Sequence, residues 1–225
     1  MIQLKSVSVT FQDKVALSGV SVQLPQRRIG VIGLNGSGKS TFARLLNGLI
    51  KPTDGTIEVN GINPATDERS ARAQVGFIFS NPDLQIIMPT VAEDVAFSLR
   101  GRGLSASQVE SQVAAALENF GLTALADQPA HSLSSGQKQM LALCAVTISK
   151  PAMIVADEPT ALLDAANTAQ IKRFLLEDWT GQVVLVTHDM ALVETCDVLL
   201  RFDEGKLAEV GEPANVISNY KKSFA

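Results

Sequence analysis

Cysteine, aromatic residues, basic excess and long apolar runs are all scarce in this chain. Two cysteines in 225 residues are too few for a disulfide framework. Cys144 and Cys196 sit in apolar or helix-like surroundings and fit no metal-ligand spacing, so they are expected to be reduced core residues of a cytosolic protein. Basic residues do not outnumber acidic ones: 19 against 23, net −4. That argues against a dedicated nucleic-acid surface, which shows as a basic excess. No apolar run approaches a membrane span; the richest, Leu141–Ile148 and Val183–Val186, read as core. Met1-Ile2-Gln3-Leu4-Lys5 lacks the layout of a signal peptide. There is no internal repeat and no low-complexity tract. What is present is 46% hydrophobic residues, enough for a sizeable core in one or two domains.

The chain is organised around Gly33-Leu34-Asn35-Gly36-Ser37-Gly38-Lys39-Ser40. It follows the strand-like Arg28–Ile32 and runs into the helix-like Thr41–Leu46. This is G-x-x-x-x-G-K-[ST] in the context it requires, a strand, a glycine-rich turn and a helix start. The glycines let successive backbone N–H groups face one anion, and the helix N-terminus adds its dipole. Lys39 would supply a point charge for terminal phosphates, and Ser40 a hydroxyl for Mg²⁺.

Around that loop, residues 2–11 and Val20–Leu24 alternate as strands and predict an antiparallel flap. Phe11 closes the first strand, either as ordinary core or as a ring stacked on a base. Thr56–Gly61 predicts a short strand with an Asn-Gly turn, and Val75–Phe79 a buried strand stopping at Ser80-Asn81-Pro82-Asp83. From about Leu84 to Leu133 the texture is helical. Ser107–Glu110 reads as a capping box ahead of Val109, Val113, Leu117 and Phe120. Leu84–Val91 is apolar enough to be either core or a partner patch. Ser134 and Gln137 form a second capping box, opening the apolar helix Lys138–Ser149; that helix start could also hold an anion. Ala152–Ala156 is a buried strand ending in Asp157-Glu158, where parallel sheets bind ligands. Asp157 would hold Mg²⁺ through its water shell, and Glu158 would polarise an attacking water. Asn167–Trp179 predicts a helix, and Val183–Val186 a strand ending near His188. Two strands (Val198–Phe202, Lys206–Val210) and a helix near Pro213–Ser218 close the chain.

Taken together and in order, these residues resemble the nucleotide-binding subunits of ABC transporters. Gly33–Ser40 looks like Walker A, Leu133–Gln137 like the signature motif, Met153–Glu158 like Walker B, Ala161–Asp164 like the D-loop, and His188 like the switch histidine. Phe11 takes the place of the aromatic that stacks on adenine. The resemblance implies an α/β fold of the P-loop NTPase class, in one ABC ATPase domain over 1–225. A RecA-like core with an N-terminal antiparallel β part would comprise 1–83 and 141–225, and a helical subdomain would be inserted over 84–140. It implies ATP and Mg²⁺ as cofactors. Asn35, Gly36, Ser37, Gly38, Lys39, Ser40 and Thr41 would hold the nucleotide, and Glu158, His188 and Lys39 would act in catalysis. Two subunits, identical or different, would pair head to tail, so that Ser134, Ser135, Gly136 and Gln137 of one meet the ATP of the other, with Asp164 alongside.

Two departures stand out. Ser135 replaces the usual glycine, which matters only if the position needs positive φ. Ser80 stands where the family has a glutamine that contacts Mg²⁺ and water; the shorter serine would reach the metal region only through water. The run Asn81-Pro82-Asp83-Leu84-Gln85, with Pro89-Thr90-Val91 and Glu93-Asp94-Val95-Ala96-Phe97 after it, is similar to the ATPases of energy-coupling factor (ECF) importers of vitamins and metal ions. Within that group it is similar to those of biotin transporters. That makes Leu84, Gln85, Ile86, Ile87 and Met88 a candidate docking surface for a transmembrane coupling subunit. A separate membrane protein would bind the substrate. The chain would then sit peripherally on the cytoplasmic face of the cell membrane. Another ABC importer or exporter and a DNA-maintenance ATPase are the alternatives. The latter would carry a long coiled coil or clamp domains, which this sequence does not show.

Overall fold

The computed structural model describes residues 1–161 and 163–224, which form two compact units. The first comprises Met1–Phe77, Ala152–Glu158 and Phe174–Ala225 up to its last described residue. Strands β1 (Ile2–Phe11), β2 (Lys14–Leu24) and β4 (Asp54–Val59) make an antiparallel sheet ordered β2-β1-β4. The expected flap is therefore a pair to which the strand after the P-loop helix adds a third member, with Ile2 opposite both Leu24 and Val59.

The second sheet has six strands, ordered β5 (Val75–Ile78), β6 (Met153–Asp157), β7 (Gln182–Val186), β3 (Arg28–Gly33), β8 (Val198–Asp203) and β9 (Lys206–Gly211). Strand β3 runs parallel to β7 on one side and β8 on the other, and β6 runs parallel to β7. Every residue of β3 is buried, the continuous apolar reading expected of a central parallel strand. Gly30 is required there by packing: a Cβ would lie 2.2 Å from Leu199 Cδ2. Helix α1 (Lys39–Leu46) buries Phe42, Ala43, Leu45 and Leu46, with the Phe42 ring 5.2 Å from that of Phe202 on β8. Because β3, β6 and β7 are parallel, their carboxyl ends lie along one edge. Helix α2 (Glu68–Gln74), which no sequence pattern announced, buries only Ala71 and is held by the Asp67 cap on the Ser70 N–H at 3.1 Å.

The start of β3 is anchored by a buried arginine. The Arg28 guanidinium donates to the carbonyls of Leu176 at 3.0 Å, Gly181 at 2.7 Å and Trp179. These belong to the π-helical turn Phe174–Asp178 and the loop beyond it. Burial pulls its pKa below the ordinary arginine value. The N–H groups of Arg27 and Arg28 donate to Asp197 Oδ2 at 3.0 and 2.7 Å.

The second unit comprises Ile78–Pro151 and Pro159–Arg173, a wider segment than the 84–140 insertion expected. Helices α3 (Val91–Phe97), α4 (Ala106–Asn119) and α5 (Ser135–Thr147) each begin on a complete capping box, Thr90/Glu93, Ser105/Gln108 and Ser134/Gln137. The box of α4 is thus two residues earlier than the Ser107 reading. Serines stand at both positions, and the one with non-helical backbone is the cap. Helix α6 (Ala165–Arg173) follows; α7 (Met190–Val193) and α8 (Pro213–Lys222) belong to the first unit. Both cysteines are buried, and burial, then Asp94, pushes the Cys144 thiol up to about 12.

Replacing Arg28 with Met would leave the Leu176 and Gly181 carbonyls without this donor, while the Trp179 carbonyl keeps the Arg27 guanidinium at 2.6 Å. The variant is expected to lose about 2 kcal/mol of unfolding free energy, at roughly 1 kcal/mol per orphaned carbonyl. Urea titration measures it; a loss below about 1 kcal/mol would mean the guanidinium is not an anchor.

Candidate active site

The site in the first unit grows from the end of β3. Gly33 has φ 146°, and a Cβ there would lie 2.2 Å from the Phe202 carbonyl oxygen. Gly38 has φ 105°, and a Cβ there would lie 2.7 Å from Leu17 and 2.8 Å from the Ala16 carbonyl. Glycine is therefore demanded at both by conformation and by space. Between them the chain turns with Gly36 at φ 78° and the Ser37 N–H on the Leu34 carbonyl at 3.1 Å. Helix α1 then starts with no side-chain cap and no acid in its first turn. An uncapped N-terminus leaves donors and a partial positive charge for an incoming anion.

Lys39 is 6% exposed. Its Nζ donates to the carbonyls of Gly33 at 2.8 Å and Leu34 at 2.9 Å, leaving one proton to offer. Burial lowers its pKa, and the nearby Glu158 and Asp157 raise it again. Ser40 Oγ donates to Asp157 Oδ1 at 3.0 Å. Asp157 ends β6 and is buried; desolvation raises its pKa, against the Ser40 hydrogen bond and Arg44, which lower it. An ammonium, a hydroxyl and a carboxylate are thus packed together in low dielectric, a state that suits binding a polyphosphate better than standing alone.

Glu158 comes directly after it in the left-handed region, φ 51°, with its N–H on the Val186 carbonyl at 2.8 Å. A non-glycine residue there costs on the order of 1 kcal/mol. The strained peptide ties the Glu158 corner to the end of β7. His188, just beyond that strand, places Nδ1 2.9 Å from Glu158 Oε1. The two residues singled out separately for catalysis are therefore one pair.

Phe11 is 48% exposed, so it is not core. It lines an open cleft of about 330 Å³ with Lys14, Ala16, Asn35, Gly36, Thr41 and the pair Lys39/Glu158. Lys14 and Ala16 were not anticipated; they come after Phe11 across the β1–β2 turn, and only the pairing of Phe11 with Lys14 shows it.

The signature residues lie in the second unit. Ser134 Oγ accepts the Gln137 N–H at 3.3 Å, and Gln137 Oε1 accepts the Ser134 N–H at 2.9 Å. Ser135 is the first residue of α5 and is absent from the positive-φ positions, so serine there carries no backbone strain. Gly136 is needed for space: a Cβ would lie 2.5 Å from Asn167. Asn167 is in turn held by Asp164, at 2.8 Å to its N–H and 2.9 Å to its side-chain amide. Of the D-loop expectation, Leu162 lies outside the described residues; Asp164 is exposed and caps α6 through Asn167. Ser80 is exposed in the loop after β5. In the candidate docking run, Leu84 and Ile87 are 73% and 67% exposed, Ile86 and Met88 half-buried. Gln85 turns its amide inward, accepting the Phe79 N–H at 3.3 Å.

Asp157→Asn tests the electrostatics. With the folded-state pKa raised, the ionised carboxylate costs the folded protein stability above its titration, and that cost disappears as pH falls through the ordinary range. Without nucleotide or metal, the Asn variant is expected to resist urea better than the parent at about pH 7.5, the difference shrinking towards about pH 4. A less stable variant at neutral pH would contradict this.

Comparison with known proteins supplies the family. The ABC transporter family model matches residues 17–161. The biotin transport ATP-binding protein BioM of Rhizobium etli is 45% identical over 224 residues, all of this chain and 99% of its own. The energy-coupling factor transporter ATP-binding protein EcfA1 of Lacticaseibacillus paracasei is 36% identical, over 97% of this chain and 81% of its own. Among solved structures, cbiO1 from Clostridium perfringens, part of the ABC transporter complex cbiONQ, aligns with a TM-score of 0.86 at 28% identity, over 98% of this chain and 91% of that one. The ATP-binding cassette MJ0796, as a dimer in a post-hydrolysis state with ADP and Pi, aligns at 0.82 and 26% identity, over 95% and 99%. The chain belongs to the ABC transporter family, as an ATP-binding subunit whose ATP hydrolysis is coupled to transport.

Proposed function

We propose that this chain is the motor of an ECF-type importer, with biotin as the first candidate substrate. The carrying observation for the chemistry is the Glu158–His188 pair, 2.9 Å apart, beside the buried Lys39 and the Ser40–Asp157 pair. Full-length identity of 45% to BioM supports the transport class and the substrate. In this reading, ATP lies with its adenine on Phe11 and its phosphates over Gly36–Thr41, Lys39 facing the terminal ones.

Ser40 and Asp157 are hard oxygen donors that fit Mg²⁺. Among the described residues no cluster of three or more potential ligands could cage a metal alone. Two protein oxygens plus phosphates is the pattern Mg²⁺ prefers. Bound there, Mg²⁺ would neutralise charge on the phosphate oxygens. Glu158 takes a proton from the attacking water. His188 holds the Glu158 carboxylate through Nδ1–H and, as the imidazolium, also offers Nε2–H to a phosphate oxygen.

The two helix starts that suit anions belong to different units, α1 to the first and α5 to the second. In the proposed head-to-tail pair, identical or different, Ser134 and the Gly136 backbone close on the ATP held by the other subunit's P-loop. The dimeric MJ0796 structure, bound to ADP and Pi, supports the pairing of two such subunits. The Leu84–Met88 segment docks a transmembrane coupling subunit, and a separate membrane protein binds the vitamin. Among the described residues no helix is long and apolar enough to cross a membrane, which accords with a peripheral place on the cytoplasmic face.

Glu158→Gln is expected to lower ATP turnover by at least about 100-fold while ATP still binds, and to run as a dimer in gel filtration only when ATP is present. Turnover at the parent rate would remove Glu158 as the base.

A further inference from the structure

The segment that carries the exposed Leu84 and Ile87 is not a loose loop. The N–H groups of Ile87 and Met88 donate to Asp94 Oδ1 at 2.8 and 2.9 Å, and Asp94 is 5% exposed. Those of Gln85 and Ile86 reach the Pro82 carbonyl at 2.9 and 3.1 Å. With its backbone satisfied inward, the segment holds two large apolar side chains outward. Its polar side is strapped to α5. Asp83 pairs with Lys138 at 2.7 Å, and the Gln85 side-chain amide donates to the Ala142 carbonyl at 3.4 Å.

Gln85 does a second thing. Its Oε1 accepts the N–H of Phe79, while Nε2 of Gln139, 1% exposed on α5, donates to the Phe79 carbonyl at 3.4 Å. Both backbone polar groups of the residue before Ser80 are thereby gripped by glutamine side chains. One glutamine comes from the exposed segment and one from the helix whose N-terminus carries Ser134. A polar residue inside the apolar run of α5 has its reason here.

The geometry points to Gln85 as a positioning residue: it joins the exposed Leu84–Met88 segment to the Ser80 loop and to the signature helix at once, and is not itself part of the face offered to a partner. Gln139 completes the clamp from the other side. A partner that seats on Leu84 and Ile87 then moves Phe79 and α5 together, because Gln85 holds one with each end of its amide. This rests on the docking reading of the segment.

The test uses the full chain assembled with its membrane subunits, and three variants. Gln85→Met keeps the size and loses both ties. Amide exchange at Phe79 is expected to speed up by about 2- to 10-fold, the worth of one hydrogen bond. The ratio of membrane-subunit-stimulated to basal ATP turnover is expected to fall at least fivefold, with assembly retained. Gln85→Glu keeps the acceptor for Phe79 and loses the donor to Ala142; it is expected to keep Phe79 protected while the stimulation ratio still falls. Leu84→Ser is expected to weaken assembly with Phe79 exchange unchanged. Parent-like exchange and stimulation in Gln85→Met would overturn the proposal, as would loss of assembly matching Leu84→Ser. If Leu84→Ser assembles normally, the docking reading fails alone, and Phe79 exchange still decides the clamp.

Discussion

A buried ammonium at the end of a buried strand sets the terms for the first unit. Lys39 spends two protons on the Gly33 and Leu34 carbonyls, which fixes both the loop and the direction of the third. That grip is available because β3 ends in Gly33, where there is no room for a side chain, and lies between two parallel neighbours. The same parallel arrangement brings the ends of β6 and β7 alongside. Asp157 arrives on one and the Glu158–His188 pair spans both. Burial pushes Lys39 and Asp157 each toward neutrality, and their opposite charges restrain one another. A phosphate chain entering this cleft meets donors already oriented and already desolvated, the condition under which electrostatic stabilisation costs least at the moment of reaction.

The second unit solves a different problem with helix ends. Three of its helices open on reciprocal capping boxes, so they are stiff at their starts. At α5 the cap, the glycine beside Asn167 and the Asp164 hold on Asn167 form one chain of contacts. The start of α5 therefore lies against the start of α6. Asp83 and Gln85 tie the exposed segment and its entry to the same helix, and Gln139 on that helix ties to Phe79. The helix that would close a nucleotide site is thus the helix that a membrane partner could reach.

Much of this was legible from residue order. The P-loop, both carboxylates, the α5 cap and the alternation of strands come from local chemistry, which sequence carries directly. Other features depend on what approaches from elsewhere in the chain. Helix α2 was invisible because it buries only Ala71 and so has no apolar period. The α4 cap was misplaced because Ser105 and Ser107 offer the same chemistry and only backbone geometry separates them. Phe11 could be core or cleft until its neighbours were known. The left-handed Glu158, the Gly136–Asn167 contact and the inward turn of Gln85 are long-range or conformational facts, and no periodicity encodes them.

The central claim is that the nucleotide cradle of one chain is completed by the signature of another. Its direct test places Asn35→Cys on one copy and Ser135→Cys on a second, both in the Glu158→Gln background, with the native cysteines buried. The two are mixed and treated with a short bismaleimide. The account predicts a covalent band of two chains that forms with ATP and not without it. No two-chain band with ATP, or a band that forms equally without nucleotide, would contradict it.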